Sequence, residues 1–213
     1  MVAHIVCGGP DLWLPDDLVG LVIGVDRGAL ELIRRSIEFD IAIGDFDSVT
    51  TDEFKMIEEK VTGVVVLKKE KDVTDCEAAI QYALEQGCDV IYLYGVTGGR
   101  LDHLYAVSAL MLKYTKLAVY PARGIQIYVE NKKNRMFVLP IGSHTIKITD
   151  KKYISFFALE RSVRALTIIG VKYPLDCYDL EVDDALCISN EAISKHVLVS
   201  FGIGYLLVIQ SSD

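Results

Sequence analysis

Ile41-Ala42-Ile43-Gly44-Asp45-Phe46-Asp47-Ser48 is the stretch on which the reading of this chain turns. A short apolar run, two of its three residues β-branched, fits a buried strand. Gly44 ends the run, and two aspartates follow, one residue apart, at the strand's carboxyl end. In open α/β sheets that end is where ligands bind. Carboxylates held so close repel each other unless a cation lies between them. Magnesium is the usual one, a hard ion that takes carboxylate oxygens and keeps its other positions for water or substrate phosphate. Asp is also a common turn residue, so an isolated Asp-Phe-Asp fits a solvated turn equally well. The surrounding chain has to decide.

Upstream, residues 3–7 read as a short buried strand running into Gly8-Gly9-Pro10, a turn that lets a ligand approach the backbone. Leu21–Val25 is the next strand and ends at Asp26-Arg27-Gly28, with helical spacing from Ala29 to Ile37. Downstream, Thr51 or Asp52 caps a helix over Glu53–Glu59. Val61–Leu67 is a further strand and ends in Lys68-Lys69-Glu70-Lys71-Asp72-Val73-Thr74-Asp75. Thr74 or Asp75 then caps a helix over residues 76–86, closed by Gly87. Val90–Tyr94 is a strand leading into Gly95-Val96-Thr97-Gly98-Gly99-Arg100-Leu101-Asp102-His103. A helix over Leu104–Lys116 and strands at Leu117–Tyr120 and Ile125–Val129 complete the region.

This alternation predicts an α/β domain with a mostly parallel sheet and helices on both faces. Consecutive parallel strands put their carboxyl ends on one edge. The loops at 8–10, 26–28, 44–48, 71–75 and 95–103 are therefore expected to converge. Glu130–Arg135 is a polar break, after which the period changes. His144–Ile148, Tyr153–Leu159, Val163–Ile169, Leu180–Val182, Val197–Phe201 and Tyr205–Ile209 read as short strands of an antiparallel β-sandwich or barrel. The expected domains are residues 1–130 and 135–213.

Composition sets bounds. The chain has 213 residues, 51% of them apolar, enough for a full core. Its net charge is −8, which argues against a nucleic-acid partner. Residues 1–130 carry 12 basic and 21 acidic side chains, a balance of −9, while the remainder carries 10 and 9, a balance of +1. The acidic chemistry sits in the first domain. The five cysteines have no Cys-x-x-Cys spacing, so zinc and redox pairs find no support. No run reaches the ~18 apolar residues of a membrane span, and the N-terminus lacks the features of a leader. A soluble cytoplasmic protein is expected.

Asp45, Asp47, Asp72, Asp75 and Asp102 all fall in loops at the same predicted edge. Gly95, Gly98 and Gly99 free backbone N–H groups to line an anion. Arg100 offers a planar fork for phosphate oxygens, and Lys71 adds a mobile charge. Carboxylates for magnesium beside glycines and cations for phosphate point to a nucleoside-polyphosphate site. The P-loop pattern GxxxxGK[ST] is absent, and no GxGxxG follows the first strand. His103, opening a helix, fits a capping or packing residue better than a base.

These residues resemble a known family. Gly44–Ser48, Lys71-Asp72-Val73-Thr74-Asp75-Cys76-Glu77 and Gly95–His103 look like the three signature blocks of bacterial thiamine pyrophosphokinases, in order and in spacing. Ser189-Asn190-Glu191 and the closing Val199–Phe201 and Gly204–Leu207 resemble the family's C-terminal end. The resemblance implies an α/β catalytic domain, a β-sandwich domain that binds thiamine and dimerises, and a homodimer. It implies transfer of the pyrophosphoryl group of ATP to thiamine, with magnesium, to give thiamine diphosphate and AMP. Asp45, Asp47, Asp75 and Asp102 would hold the metal, and Asp72, Asp75 and Lys71 would serve catalysis. Asp26, Gly98, Gly99, Arg100, Asp102 and His103 would line the nucleotide. Ser189 and Asn190 would lie near thiamine. Where the family often has Asp-Gly-Gly, this chain has Asp26-Arg27-Gly28.

Three other readings compete: a pyrophosphokinase acting on a pterin, a phosphatase with Asp45 as nucleophile in a DxDx[TV] motif, and a binding protein without turnover. The phosphatase leaves the glycine-arginine loop without a role.

Overall fold

The computed structural model describes residues 1–68, 70, 72–119 and 124–213. The chain divides into two compact units. The first comprises Met1–Leu110 and Gly124–Lys132, and the second comprises Lys133–Asp213 with the stretch that begins at Met111.

In the first unit, strands β1 (Val2–Val6), β2 (Leu21–Val25), β3 (Ile41–Gly44), β4 (Gly63–Val66), β5 (Val90–Tyr94) and β6 (Gln126–Glu130) pair in the order β4-β3-β2-β1-β5-β6. Every pair in this series is parallel. Helices α1 (Arg27–Arg34), α2 (Thr51–Lys60), α3 (Asp75–Glu85) and α4 (Leu101–Val119) are the four helices among the described residues. The order reverses at β1, which lies between β2 and β5, so β1 is the switch point of the sheet. α1 and α2 pack on β3 through Ala29, Leu30, Ala42 and Ile57, with Phe46 in the same cluster.

Local chemistry explains the boundaries. Thr50 caps α2: its Oγ1 accepts from the Glu53 N–H, while the Glu53 carboxylate accepts from the Thr50 N–H, a full capping box. The cap lies one residue before the predicted candidates. Thr74 caps α3 by accepting from the Glu77 N–H at 3.1 Å, which makes Asp75 the first helical residue.

The strand expected at Leu117–Tyr120 is not formed. α4 runs through Val119, and Tyr120 lies outside the described residues. Leu and Ala are good helix formers, and extending a helix adds one hydrogen bond per residue fixed. A three-residue apolar run cannot outweigh that. The same helix starts at Leu101 rather than Leu104, so Asp102 and His103 stand in its first turn.

The second unit contains β7 (Asn134–Leu139), β8 (Gly142–Lys147), β9 (Tyr153–Ile169), β10 (Leu175–Leu180), β11 (Asn190–Glu191), β12 (His196–Phe201) and β13 (Ile203–Ser211). All their pairings are antiparallel, and β9 organises them. Its first half pairs β13, and its second half pairs β12 and β10. The two strands read at Tyr153–Leu159 and Val163–Ile169 are one 17-residue strand, bent where Glu160 and Ala165 take positive φ. The Asp179 carboxylate satisfies the Ala165 N–H at 3.0 Å. The strand read at Leu180–Val182 is instead Leu175–Leu180. Asp184 accepts from both the Glu181 N–H and the Tyr178 hydroxyl and turns the chain there. β7 begins inside the polar stretch read as a break.

Candidate functional site

A cleft of about 740 Å³ opens at the carboxyl ends of the parallel strands of the first unit. Each of the five loops expected to converge contributes lining residues: 7–10, 26–27, 45–48, 74–76 and 95–103, the last continuing into α4.

Its floor is acidic. Carboxylate oxygens of Asp26, Asp45 and Asp75 lie within 4.8 Å of one another, all three side chains partly buried. Two unit charges at that spacing repel by roughly 3 kcal/mol at an effective dielectric of about 20. Gathering three such groups therefore favours a cation among them.

The backbone is built to bring these groups together. Asp26 takes φ 47° and ψ −120°, a conformation costing about 1–3 kcal/mol for a residue with a side chain. Several contacts fix it there. Its N–H donates to the Ile43 carbonyl at 3.1 Å, its carbonyl accepts from the Ala29 N–H at 3.1 Å, and its Oδ1 accepts from the Phe46 N–H at 3.0 Å. A Cβ on Gly44 would stand 1.9 Å from Asp26 Oδ1, so only glycine leaves that carboxylate its place. Gly44 thus ends the strand and makes room for an acid from the neighbouring one.

Phe46 separates the two aspartates and works as their anchor. Its ring is buried against Phe54, with centroids 4.9 Å apart, although its own φ is 54°. Burying a phenyl group contributes about 1.5–3 kcal/mol, enough to offset roughly 1–2 kcal/mol for a left-handed residue. With Phe46 pointing inward, Asp45 faces the floor. Asp47 is exposed at the rim, and its N–H donates to Asp45 Oδ1 at 3.1 Å.

The glycine-rich loop is tied down from two sides. The Gly9 N–H donates to the Gly95 carbonyl at 2.8 Å, and the buried Asn131 donates to Thr97 Oγ1 at 2.8 Å. Gly95 and Gly98 have φ of +66° and +78°, and a Cβ on either would strike Cys7 or Asp11. Arg100 grips Asp102 through two hydrogen bonds, 3.1 Å and 2.5 Å. The carboxylate of Asp102 is thereby held below its usual pKa and the guanidinium above its own. Each carries its charge, and the two largely cancel. The Asp102 carboxylate also accepts from the N–H of His103, whose exposed side chain lines the cleft.

Of the four residues expected to hold metal, Asp45 and Asp75 meet on the floor. Asp47 and Asp102 line the rim and lie outside the three-carboxylate group. Asp26, read as a nucleotide contact, completes that group. Asp72 is exposed and does not line the cleft. Lys71 lies outside the described residues. Gly99 lines the cleft. Gly98 sits beside it, against Asp11.

Cys7 and Cys76 also line the cleft, although their spacing in the sequence gives no signal for a site. The half-buried Cys7 thiol, hydrogen-bonded to that of Cys76, partly desolvated and near Asp26 and Asp75, is pushed well above its usual pKa. It stays protonated and is no nucleophile. Asn131 was also missed, because it reads as part of a polar break.

In the second unit, Ser189 has φ 57°, and its N–H donates to Ser155 Oγ at 2.9 Å. Asn190 is buried. Its carbonyl oxygen accepts from the Tyr173 and Glu191 N–H groups, and its amide donates to the Tyr173 carbonyl at 2.8 Å. Its side chain clamps the turn at Tyr173.

The parallel strands, the carboxylate floor and the tethered glycine loop define an α/β protein with an acidic, cation-suited cleft at the carboxyl edge of its sheet. Two family models match the chain: the thiamin pyrophosphokinase catalytic domain over residues 17–120 and its vitamin B1 binding domain over residues 143–206. A curated thiamine pyrophosphokinase of Bacillus subtilis is 38% identical over 216 residues, covering 99% of this chain and 98% of its own. A crystal structure of thiamine pyrophosphokinase from that organism superposes with a TM-score of 0.89 at 36% identity, covering both chains completely. One from Geobacillus thermodenitrificans gives 0.87 at 35% identity, over 100% of this chain and 98% of the other. The chain belongs to the thiamin pyrophosphokinase family.

Proposed function

We propose that this chain transfers the pyrophosphoryl group of ATP to thiamine, giving thiamine diphosphate and AMP. The observation that carries this reading is the three-carboxylate floor beside the tethered glycine loop, in a chain of this family. Hard oxygen donors so closely grouped fit magnesium, which takes carboxylate ligands and leaves positions for phosphate. Asp26, Asp45 and Asp75 would hold it, and when bound it would supply positive charge against the polyphosphate oxygens. Asp47 and Asp102 serve at the rim of the same site.

Transfer of this kind needs positioning and charge neutralisation more than covalent chemistry. Backbone N–H groups of the Gly98-Gly99 turn and the Arg100 fork bind the nucleotide's phosphates, with His103 beside them. Asp75, within the cleft lining, and Asp72, outside it, are the two candidate acceptors of the thiamine hydroxyl proton.

The first unit, Met1–Leu110 with Gly124–Lys132, serves catalysis, and residues 135–213 form a β-sandwich that binds thiamine and dimerises. Alternate burial along β12 and β13 supports facing sheets. In this unit Ser189 contacts thiamine, and Asn190 shapes the turn. Tyr173, Ile188 and Ile193 are exposed apolar residues suited to a homodimer contact. No helix among the described residues is long and apolar enough to cross a membrane.

The test is product analysis by phosphorus NMR with ATP, magnesium and thiamine. AMP and thiamine diphosphate are expected, dependent on magnesium and lost in Asp45→Ala. ADP or inorganic phosphate with a phosphorylated Asp45 would establish the phosphatase instead. Turnover only with a pterin alcohol would move the acceptor, and thiamine binding without turnover would leave a binding protein.

A further inference from the structure

Arg27 and Arg100 are the arginines among the described residues that line the cleft. Arg100 is engaged with Asp102. Arg27 is exposed and makes no ion pair or side-chain hydrogen bond among the described residues, although it acts through space on the Glu53 carboxylate. Glu53 is itself held by Arg34 and the Thr50 cap.

The position of Arg27 is expensive by local rules. It is the first residue of α1, where the helix dipole disfavours a cation, and the first turn of α1 contains no acidic residue. Such departures gather at functional sites. The surroundings also fit the side chain. A Cβ on Gly8 would stand 2.7 Å from Arg27 Cβ, so the missing side chain at Gly8 makes room for the arginine stem. A Cβ on Gly28 would stand 1.9 Å from the Val6 carbonyl, so the turn is pressed against the end of β1. The base of the stem thus occupies the space that Gly8 leaves beside the second loop.

We infer that Arg27 is a binding residue for the nucleotide's polyphosphate, supplying the cleft with a guanidinium that has no ion pair among the described residues. The inference rests on the proposed reaction for its ligand, and its chemistry needs only a chain of phosphates. A guanidinium binds phosphate oxygens through paired hydrogen bonds that an ammonium cannot reproduce.

The test is titration calorimetry with inorganic tripolyphosphate and magnesium on the full chain, beside the AMP assay. Arg27→Gln is expected to bind tripolyphosphate about tenfold more weakly than the unmodified chain, with Arg27→Lys between. The KM for ATP should rise in parallel while the KM for thiamine stays put. Affinities within twofold, or no tripolyphosphate binding by the unmodified chain, would overturn the inference. If Arg27→Gln weakens tripolyphosphate binding and the unmodified chain makes no AMP, the reaction reading fails while Arg27 keeps its role.

Discussion

Gly44 offers the site no functional atom, yet the space it leaves decides where Asp26 can stand. Gly44→Ala puts a methyl group into the Asp26 carboxylate. The expected result is a loss of turnover of roughly a hundredfold, the scale of an ångström's misplacement in a reactive site. Unchanged turnover would show that the Asp26 carboxylate is not needed where it stands. The three floor acids separate from the rim in the same way. Asp26→Asn, Asp45→Asn and Asp75→Asn should each weaken manganese binding, followed by electron paramagnetic resonance, by about tenfold or more, because hard-metal affinity follows the count of charged ligands. Asp47→Asn should stay near the unmodified value. At this scale the sequence shows acids at one edge but not their directions. An Asp-Phe-Asp spacing treats both acids alike until Phe46 is known to be buried. Asp26 looks like any turn residue until its carboxylate is seen under Gly44.

The elements of the first unit were mostly legible, because strand, turn and helix each carry their own local signal. Val90–Tyr94 is a strand, and Thr74 is a cap, for reasons visible in four or five residues. Errors came where neighbours decide. Leu117–Val119 is helical because a helix already running into it continues. Glu160 lies inside a strand because β9 is bent, not broken, at that point. Caps should bear measurable weight. Thr50→Ala removes the α2 capping box and is expected to lower stability to urea by about 1 kcal/mol without changing KM for ATP. Asn190→Ala removes the buried side chain that holds the exposed turn at Tyr173 and is expected to cost about 2 kcal/mol. An unfolding midpoint indistinguishable from the unmodified chain would remove the clamp role given to Asn190.

At the scale of the molecule, pH acts through a buried histidine. His4 lies in the first unit, stacked on Tyr92 and Tyr94, with Nδ1 3.1 Å from the Tyr94 hydroxyl. Burial lowers its pKa, opposed by its contact with the Val19 carbonyl. The folded state therefore takes up the proton less readily than the unfolded chain. The stability this supports is complete above the ordinary value of about 6.5 and is lost as pH falls below it, through the lowered folded pKa. Urea midpoints should fall between about pH 7 and pH 5.5, and His4→Phe should flatten that slope. An equal slope in the variant would assign the effect to other groups. The acidic balance of residues 1–130 was plain from composition. The way three of those acids share one floor was not, since it depends on strand order.

The most direct measurement uses ATP labelled at the β-phosphorus, with magnesium and thiamine. If the cleft transfers a pyrophosphoryl group, the label appears in thiamine diphosphate, AMP is unlabelled, and Asp45→Asn abolishes both products. Label retained in ADP would contradict the account, because only the terminal phosphoryl group would then have moved.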